Sequence, residues 1–317
     1  MTTLPMFPEE PAHPDARTDL KGWAEYAKEK IDGRPVIVSV SGGKDSLAVG
    51  LLLKSAGIPF TCVHMDTGWE HELTEKYVRE YLPTVLGPIK ILQGRDGGME
   101  GLVKRKGRFA TRRARFCTEE LKLIPFRDYL LSLDDEPVNA VGVRAQESKA
   151  RSRLPEWEDS KGLDCETWRP ILDWSYQDVI DLHRQAGAEP NPLYLKGAER
   201  VGCWPCLFSR KAEIRMVADT DPARIDRLER LESDVTEMAV ARYAAKGTTI
   251  EELGYRNPAF FQDTNRDTNG QRLCKPIREV VKWSRTKWGG KTSDPNDVDY
   301  GREGCLRWGF CDTGGGA

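Results

Sequence analysis

The chain reads VIVSVSGGKDSLAVGLLLKSAG from residue 36 to residue 57. Residues 36–40 are a short β-branched run typical of a buried strand, and residues 46–56 predict a helix that Gly57 ends. Gly42 and Gly43 lie between the two, so a glycine-rich turn joins a strand to a helix N-terminus. Unpaired N–H groups and the positive end of the helix dipole make such a turn suited to binding phosphate.

The side chains of this turn add to its chemistry. The glycines let the backbone approach a phosphate closely, Lys44 supplies a positive charge, and Asp45 fits either a helix cap or a metal-bridging role. A Walker loop is excluded, because it would need glycine where Val38 stands. Residues 290–292 (GKT) fail the same test, since Arg285 occupies the required position. The predicted nucleotide-binding residues of the turn are Ser39, Ser41, Gly42, Gly43, Lys44, Asp45 and Ser46.

Strand and helix patterns alternate through the first half of the chain. Further strands are predicted at 59–65, 89–92 and 138–143, with helices at 21–31, 72–82 and 119–133. This alternation predicts an α/β fold, a doubly wound parallel sheet of the Rossmann-like type.

The pattern changes after residue 170. Amphipathic helices are predicted at 175–185 and 222–245 with no strand between them, and little periodicity follows residue 247. The predicted division is a flexible tail (1–18), a nucleotide-binding domain (19–200) and a helical, loop-rich C-terminal region that carries cysteines (201–317).

Composition points to a globular cytoplasmic protein. The 317 residues are 39% hydrophobic and 31% charged, and no apolar run is long enough to span a membrane. The N-terminus is proline-rich and acidic and lacks the basic start of a secretory signal. We therefore expect a cytoplasmic location and no membrane partner. Because disulfides are disfavoured there, the eight cysteines suggest metal ligands or redox chemistry.

Charge limits the class of partner. The formal net charge is -2, so nucleic-acid binding would need a local basic patch. Residues 104–115 (KRKGRFATRRAR) contain seven Lys or Arg and no acid. Residues 283–288 (WSRTKW) interleave aromatic and basic side chains suited to stacking bases and contacting phosphates. Solvated surface is the alternative interpretation of both segments.

Several segments together resemble a known family. SGGKDS resembles the pyrophosphate loop of N-type ATP-pyrophosphatases, which are adenine-nucleotide α-hydrolase-like proteins. Residues 66–68 (DTG), 142–148 (GVRAQES), 168–171 (WRPI), 191–194 (NPLY) and 202–206 (GCWPC) are similar to further elements of the phosphoadenosine phosphosulfate (PAPS) reductase family. That family includes the small ATP sulfurylase subunit and the ATPase of DNA phosphorothioation, to which this chain looks most similar. The resemblance covers roughly residues 20–215.

The resemblance implies further site residues. Asp66, Thr67, Gly68, Gly142 and Arg144 would line the nucleotide pocket, and Arg144 would join Lys44, Asp45 and Ser46 as the catalytic set. Arginine side chains near a strand end can also clamp phosphate or sulfate bidentately, which lysine cannot do. Arg151 and Arg153 are therefore predicted to bind a substrate phosphate or sulfate, with a solvated charge run as the alternative.

The cysteines suggest a metal site. Cys203 and Cys206 form a C-x-x-C pair on a turn, and Cys117 opens a predicted helix after the basic segment, where thiolate character is favoured. Adenylylsulfate reductases with a [4Fe–4S] cluster have a cysteine pair and a later C-x-x-C. Here Thr118 replaces the second member of that pair.

The fourth ligand is therefore open. The predicted set is Cys117, Cys203, Cys206 and Cys311, with Cys305 or Cys274 as alternatives for the fourth position. A cluster with three protein ligands and an open iron site, or zinc in place of a cluster, are further alternatives. Cys62 is expected in the core and Cys165 in a loop.

Three functions follow from these features. In the first, ATP with Mg²⁺ adenylates an acceptor such as DNA or tRNA, and sulfur from a donor protein such as a cysteine desulfurase displaces AMP. In the second, the protein reduces PAPS or adenylylsulfate to sulfite. The intact SGGKDS and the absence of a reductase Glu-Cys-Gly-Leu-His tail favour the first. The third is a non-catalytic nucleotide-binding subunit of a modification complex. The sequence is compatible with an oligomer.

Overall fold

The fold is a mixed, mainly parallel sheet covered by helices on both faces. The computed structural model describes residues 13–286 except 112, 251, 253–256 and 267–271. The six-stranded sheet has the order β3-β2-β1-β4-β6-β5, in which only β5 runs antiparallel to its neighbour. Its strands are β1 (Val36–Ser39), β2 (Thr61–Asp66), β3 (Ile89–Gln93), β4 (Val138–Ala140), β5 (Trp157–Ser160) and β6 (Cys165–Trp168). The predicted α/β doubly wound class is confirmed.

Helices occupy the connections and the C-terminal part. Those of the sheet region are α1 (Leu20–Ile31), α2 (Lys44–Ser55), α3 (Glu72–Lys76), α4 (Leu82–Leu86), α5 (Met99–Lys106), α6 (Phe116–Thr118), α7 (Ile124–Leu130), α8 (Tyr176–Gln185) and α9 (Pro192–Leu195). Two π-helical turns, Tyr77–Tyr81 and Glu119–Leu123, interrupt the helices predicted at 72–82 and 119–133. Beyond them come α10 (Lys211–Thr220), α11 (Pro222–Ala244), the antiparallel pair β7 (Phe261–Arg266) and β8 (Arg272–Lys275), and α12 (Ile277–Ser284).

The first three residues of strand β1 are apolar because both faces of the strand are covered. Val36 and Val38 belong to the core cluster that includes α1 and α2, whereas Ile37 packs with Phe126 and Leu130 of α7 on the opposite face. Successive side chains of a strand point to opposite faces, so a strand covered on both sides needs an apolar residue at every position. Full burial of each such side chain stabilises the fold by about 1.5–3 kcal/mol.

A separate core holds the cysteine region against the sheet domain. Trp69, Leu102 and Phe116 pack in one cluster with Trp204 and Met216. The cluster therefore contains residues from both sides of the boundary predicted at residue 200, and that boundary stays a prediction. Part of the predicted tail also makes contacts.

Arg17, which belongs to the predicted tail, donates a hydrogen bond to Asp178 at the start of α8, with an Nη1–Oδ2 distance of 3.0 Å. Residues 1–12 lie outside the part of the chain that the structure describes. The flexible tail expected at residues 1–18 therefore stays a prediction.

Two sequence expectations were wrong. Cys165 is not a loop thiol: it begins β6 and is buried, because the hairpin formed by β5 and β6 covers the sheet edge beside it. The strand predicted at 138–143 ends at Ala140, because the chain leaves the ladder so that Gly142 can approach α2. No helix in the described residues is both long and apolar enough to cross a membrane.

Candidate active site

The glycine-rich turn lies between β1 and α2 and requires its first glycine. Gly42 has φ +75°, and a Cβ there would lie 2.9 Å from Thr74 Cγ2 and 3.0 Å from Val78 Cγ2. Any other residue here would be strained by the left-handed backbone conformation, and its Cβ would clash with these two methyl groups. Asn191 fixes the turn from outside, because its Nδ2 donates to the Gly42 carbonyl (3.1 Å) and to Thr74 Oγ1 (3.2 Å).

Two serine hydroxyls close the turn internally. Ser46 Oγ accepts a hydrogen bond from the Ser41 backbone N–H (3.1 Å) and donates to the Gly43 carbonyl (3.0 Å). Gly43 is the N-cap of α2, and because it is glycine no N-cap side chain accepts a hydrogen bond from the N–H groups at the start of the helix. The first N–H of α2, that of Lys44, bonds Tyr194 Oη, so the N–H groups that follow it are the ones presented at the carboxyl end of the sheet, where anions bind favourably.

Two cations meet at Asp45. Its carboxylate bonds Lys44 Nζ through Oδ2 (2.7 Å) and Arg144 Nε through Oδ1 (2.6 Å). Only 8% of Lys44 and 4% of Arg144 is exposed. Arg144 comes from the segment after β4, so the topology brings together the predicted catalytic residues Lys44, Asp45, Ser46 and Arg144.

Gly142 makes this convergence sterically feasible. A Cβ at Gly142 would lie 2.5 Å from the backbone C and O of Asp45 and 2.6 Å from Ser46 N. The segment after β4 therefore runs in direct backbone contact with the start of α2, and only glycine allows that approach.

Two tyrosine rings and a histidine pack around Lys44. The Lys44 ammonium lies 5.3 Å from the Tyr176 ring centroid and 5.9 Å from that of Tyr194. Tyr194 Oη accepts from the Lys44 backbone N–H (3.2 Å), and His183 Nε2 donates to the Lys44 carbonyl (2.9 Å). Burial lowers the pKa of His183 to about 4, so the imidazole is neutral at physiological pH.

The predicted segment after β2 is also at this edge. Asp66 Oδ1 accepts from the Gly68 backbone N–H (2.9 Å), and its Oδ2 pairs with Arg79 (2.5 Å). Thr67 is buried and donates its hydroxyl proton to Glu70 Oε1 (2.7 Å). Whether Asp66, Thr67 and Gly68 touch a nucleotide stays a prediction.

The other two arginines of this element lie farther out. Arg151 and Arg153 form a short 3₁₀ turn, and Arg151 pairs with Glu147, which also accepts from the Arg144 backbone N–H (2.9 Å). Arg153 is exposed. Their assignment to a substrate phosphate or sulfate remains a prediction.

The C-x-x-C turn abuts the glycine-rich turn. The Cβ position of Gly43 is 3.8 Å from the Val201 carbonyl, two residues before Cys203. Cys203 itself forms a β-bridge with Glu70, and the next residue, Trp204, donates its N–H to the Trp69 carbonyl (2.8 Å). The cysteine turn is therefore attached to the same strand-end segment that carries Asp66.

Cys117 and Cys203 pack against the same buried cluster, which includes Trp69 and Trp204. Burial raises the pKa of Cys117, and it raises that of Cys203 to about 11. The expected thiolate character of Cys117 is therefore wrong for the unliganded protein, because burial outweighs the nearby arginine.

The structure forms no metal site among the residues that it describes. Across the described ranges, no three His, Cys, Asp or Glu side chains are arranged to hold one. Cys305 and Cys311 lie outside those ranges, and Cys274 is half-buried on β8. The [4Fe–4S] and zinc assignments stay predictions.

Lys122 was missed by the sequence analysis. Electrostatic interaction with Cys203 and then with Glu70 raises the pKa of this half-buried lysine, so its side chain is protonated. A spacing of five residues from Cys117 would place the two about 140° apart on a regular α-helix. The π turn over Glu119–Leu123 changes this, because its i→i+5 bonding brings such residues to one side.

Comparisons with known proteins identify the family of this chain. The phosphoadenosine phosphosulfate reductase domain profile matches residues 35–208, which span β1 to just beyond Cys206. An uncharacterised 37.8 kDa protein of the gpa 5′ region of Escherichia phage 186 is 36% identical over 318 residues, covering 81% of this chain and 90% of that protein.

Some relatives carry the names of enzymes, of two kinds. Adenosine 5′-phosphosulfate reductase of Allochromatium vinosum is 25% identical over 186 residues, covering 54% of this chain and 67% of the reductase. tRNA(Ile)-lysidine synthase of Chlamydia pneumoniae is 36% identical over 77 residues, covering 22% of this chain and 24% of the synthase.

Proposed function

The chain belongs to the phosphoadenosine phosphosulfate reductase domain family, and we propose that it is an ATP pyrophosphatase that adenylates a nucleic-acid acceptor for sulfur incorporation. The observation that carries this proposal is the convergence of Lys44, Arg144 and the α2 N-terminus around Asp45. A site that holds two buried cations against one carboxylate suits a polyphosphate with a metal ion better than a neutral ligand.

The reaction has two steps. An acceptor oxygen attacks the α-phosphate of ATP, the bond between the α-phosphate and the bridging oxygen breaks, and pyrophosphate leaves. A sulfur nucleophile then attacks the acceptor carbon or phosphorus atom that bears the adenylated oxygen, the bond from that atom to the oxygen breaks, and AMP leaves with the oxygen. Lys44 and the N–H groups of α2 would stabilise the charge on the leaving pyrophosphate. Asp45 would exchange its contacts with Lys44 and Arg144 for Mg²⁺.

The cysteines would present the sulfur. Cys203 is two residues from Val201, which lies beside Gly43, so a sulfur held there would be near the adenylated acceptor. Cys203 would first have to lose its thiol proton, and Lys122 would then offset the charge of the thiolate that accepts sulfur from a donor protein such as a cysteine desulfurase. No step of this scheme depends on a metal held by the cysteines.

Pyrophosphate release from ATP tests the proposal. Lys44→Ala and Ser46→Ala should abolish release while the thermal unfolding transition is retained. Lys54→Ala is the matched control, because Lys54 lies on the same helix but bonds the Val85 carbonyl at its far end. Full activity in both loop variants would remove the turn from the mechanism.

The reductase is the second candidate function. The identity to adenosine 5′-phosphosulfate reductase favours it. Sulfite released from adenylylsulfate or PAPS in the presence of a thiol reductant, without any use of ATP, would establish it in place of the first. ATP binding without pyrophosphate release for any DNA or tRNA acceptor would instead indicate a non-catalytic nucleotide-binding subunit.

A further inference from the structure

The basic segment 104–115 divides into two parts with different electrostatic roles. Its first three cations form ion pairs with acidic side chains: Lys104 with Asp234 (2.7 Å), Arg105 with Asp96 (2.7 Å) and Lys106 with Glu120 (2.5 Å). These three residues hold α5 against its neighbours, and their charge is already neutralised. They are therefore poorly suited to binding a further anion.

The later arginines are different. Arg108, Arg113 and Arg115 are exposed, as is Arg127 on α7. Within the ranges that the structure describes, none of the four forms an ion pair with an acidic side chain. A chain with a net charge of -2 thus concentrates four uncompensated positive charges in one region. Such a patch attracts polyanions.

Aromatic rings support two of these guanidinium groups. The Arg115 guanidinium lies 5.1 Å from the Phe208 ring centroid, and that of Arg108 lies 5.4 Å from the Phe116 ring centroid. A guanidinium stacked on a ring keeps its N–H edges free and limits its rotation. Preordered N–H donors of this kind match the oxygens of a phosphodiester.

A groove lies between two of the arginines. Arg115 and Arg127 line a cavity of about 550 Å³ whose apolar wall is formed by Leu123 and Ile124. Leu123 is 44% exposed although it is apolar. The cavity has the size of a small-ligand pocket. One carboxylate, that of Glu119, also lines it.

The groove and the cysteines share one turn of chain. Arg115 and Thr118, which line the groove, flank Cys117, and Cys117 and Cys203 pack against the same buried cluster on the inner side. A strand seated on the outer side would therefore lie next to the proposed sulfur site. An apolar wall beside phosphate-binding arginines suits unpaired bases, which duplex DNA keeps stacked inside.

We propose that Arg113, Arg115, Arg127 and the groove at Leu123 form the docking surface for a single-stranded segment of the nucleic-acid acceptor. This inference rests on the proposed function, because it assigns a location to that acceptor. Arginines contact the phosphates, and Leu123 packs against a base. Binding at this surface needs neither ATP nor sulfur.

The test is fluorescence anisotropy with labelled 12-nucleotide single-stranded DNA and RNA, without ATP, across a salt series. The triple variant Arg113→Ala, Arg115→Ala and Arg127→Ala should bind at least tenfold more weakly. Its plot of log affinity against log salt should be less steep by about 2, since each phosphate contact on a single strand contributes about 0.7. Leu123→Asp should weaken binding and leave that slope nearly unchanged.

A control variant removes the same number of charges elsewhere: Lys54→Ala, Arg184→Ala and Arg278→Ala. Wild-type affinity in this control supports the docking surface, and an equal loss in both triple variants overturns it. Equal affinity for a duplex of the same sequence overturns the single-stranded assignment. If polyglutamate displaces the labelled oligonucleotide as effectively as unlabelled oligonucleotide does, the nucleic-acid assignment is overturned in favour of an acidic protein partner. Thermal melting checks that each variant is folded.

The two proposals fail separately. Protein that releases pyrophosphate but binds nucleic acid equally well with and without these arginines contradicts the docking surface alone. Protein that binds single strands through the arginines but never releases pyrophosphate contradicts the proposed function alone.

Discussion

Gly142→Ala tests how tightly the segment after β4 must approach the phosphate-binding turn. The new methyl group would lie 2.5 Å from the Asp45 carbonyl carbon and oxygen and 2.6 Å from Ser46 N. Ordinary contacts between such atoms begin near 3.4 Å, so the start of α2 and the Gly142 segment must separate by about 0.9 Å. All the contacting atoms are backbone, and no side chain can rotate away to absorb the shift.

The expected result is a large functional loss with a moderate cost in stability. Overpacking of this size typically costs about 1–3 kcal/mol, which a domain of ordinary stability survives. A displacement near 1 Å in a catalytic arrangement can lower the rate about 100-fold. Pyrophosphate release should therefore fall about 100-fold, while urea unfolding shows a folded protein.

Gly162→Ala is the matched control, because a Cβ at Gly162 meets nothing within 4 Å and its backbone is not left-handed. That variant should keep both activity and stability. The reasoning is refuted if Gly142→Ala releases pyrophosphate at the wild-type rate, since the close approach would then have no catalytic consequence.

Three further predictions concern individual buried groups. Arg144→Lys should weaken ATP binding about tenfold by calorimetry, because lysine cannot reproduce the planar fork of N–H donors that Arg144 would offer to a phosphate once Asp45 releases it, and unchanged affinity would contradict this. His183 is neutral when folded, with its pKa lowered to about 4, but gains a proton near pH 6.5 when unfolded. The contribution of neutral His183 to the free energy of unfolding is complete above pH 6.5 and falls by about 2 kcal/mol between pH 6.5 and 5. In urea unfolding, His183→Gln should therefore lose less stability than the wild type over that range. Identical pH profiles of stability for the two proteins would refute the lowered pKa of His183. Glu232→Ala should lower the free energy of unfolding by about 2–5 kcal/mol, because the N–H groups of Phe260 and Ile277 (each 2.9 Å from the carboxylate) lose their acceptor, whereas Glu232→Gln should lose less.

Local sequence was sufficient for the turn and its helix. The β-branched run, the two glycines and the start of α2 are set by interactions between near neighbours, so β1 and the turn could be located within a residue or two. The short hairpin of β5 and β6 was missed, because Trp157–Ser160 lies at a sheet edge and lacks a regular apolar alternation.

The supporting residues of the site could not be derived in this way. Asn191, Tyr194 and His183 contact the turn across sequence separations of 149, 150 and 139 residues. Such contacts depend on the packing of α8 and α9 against α2, which no local pattern records. Lys122 was missed because its position depends on a π turn, which has no reliable sequence signal.

Isothermal titration calorimetry with MgATP, and separately with PAPS, tests the central claim most directly. If the turn between β1 and α2 binds a triphosphate, the wild-type protein binds MgATP. Lys44→Ala then reduces the affinity for MgATP at least tenfold, because a buried cation is lost. Tight binding of PAPS with no heat of ATP binding would contradict the account and favour the reductase.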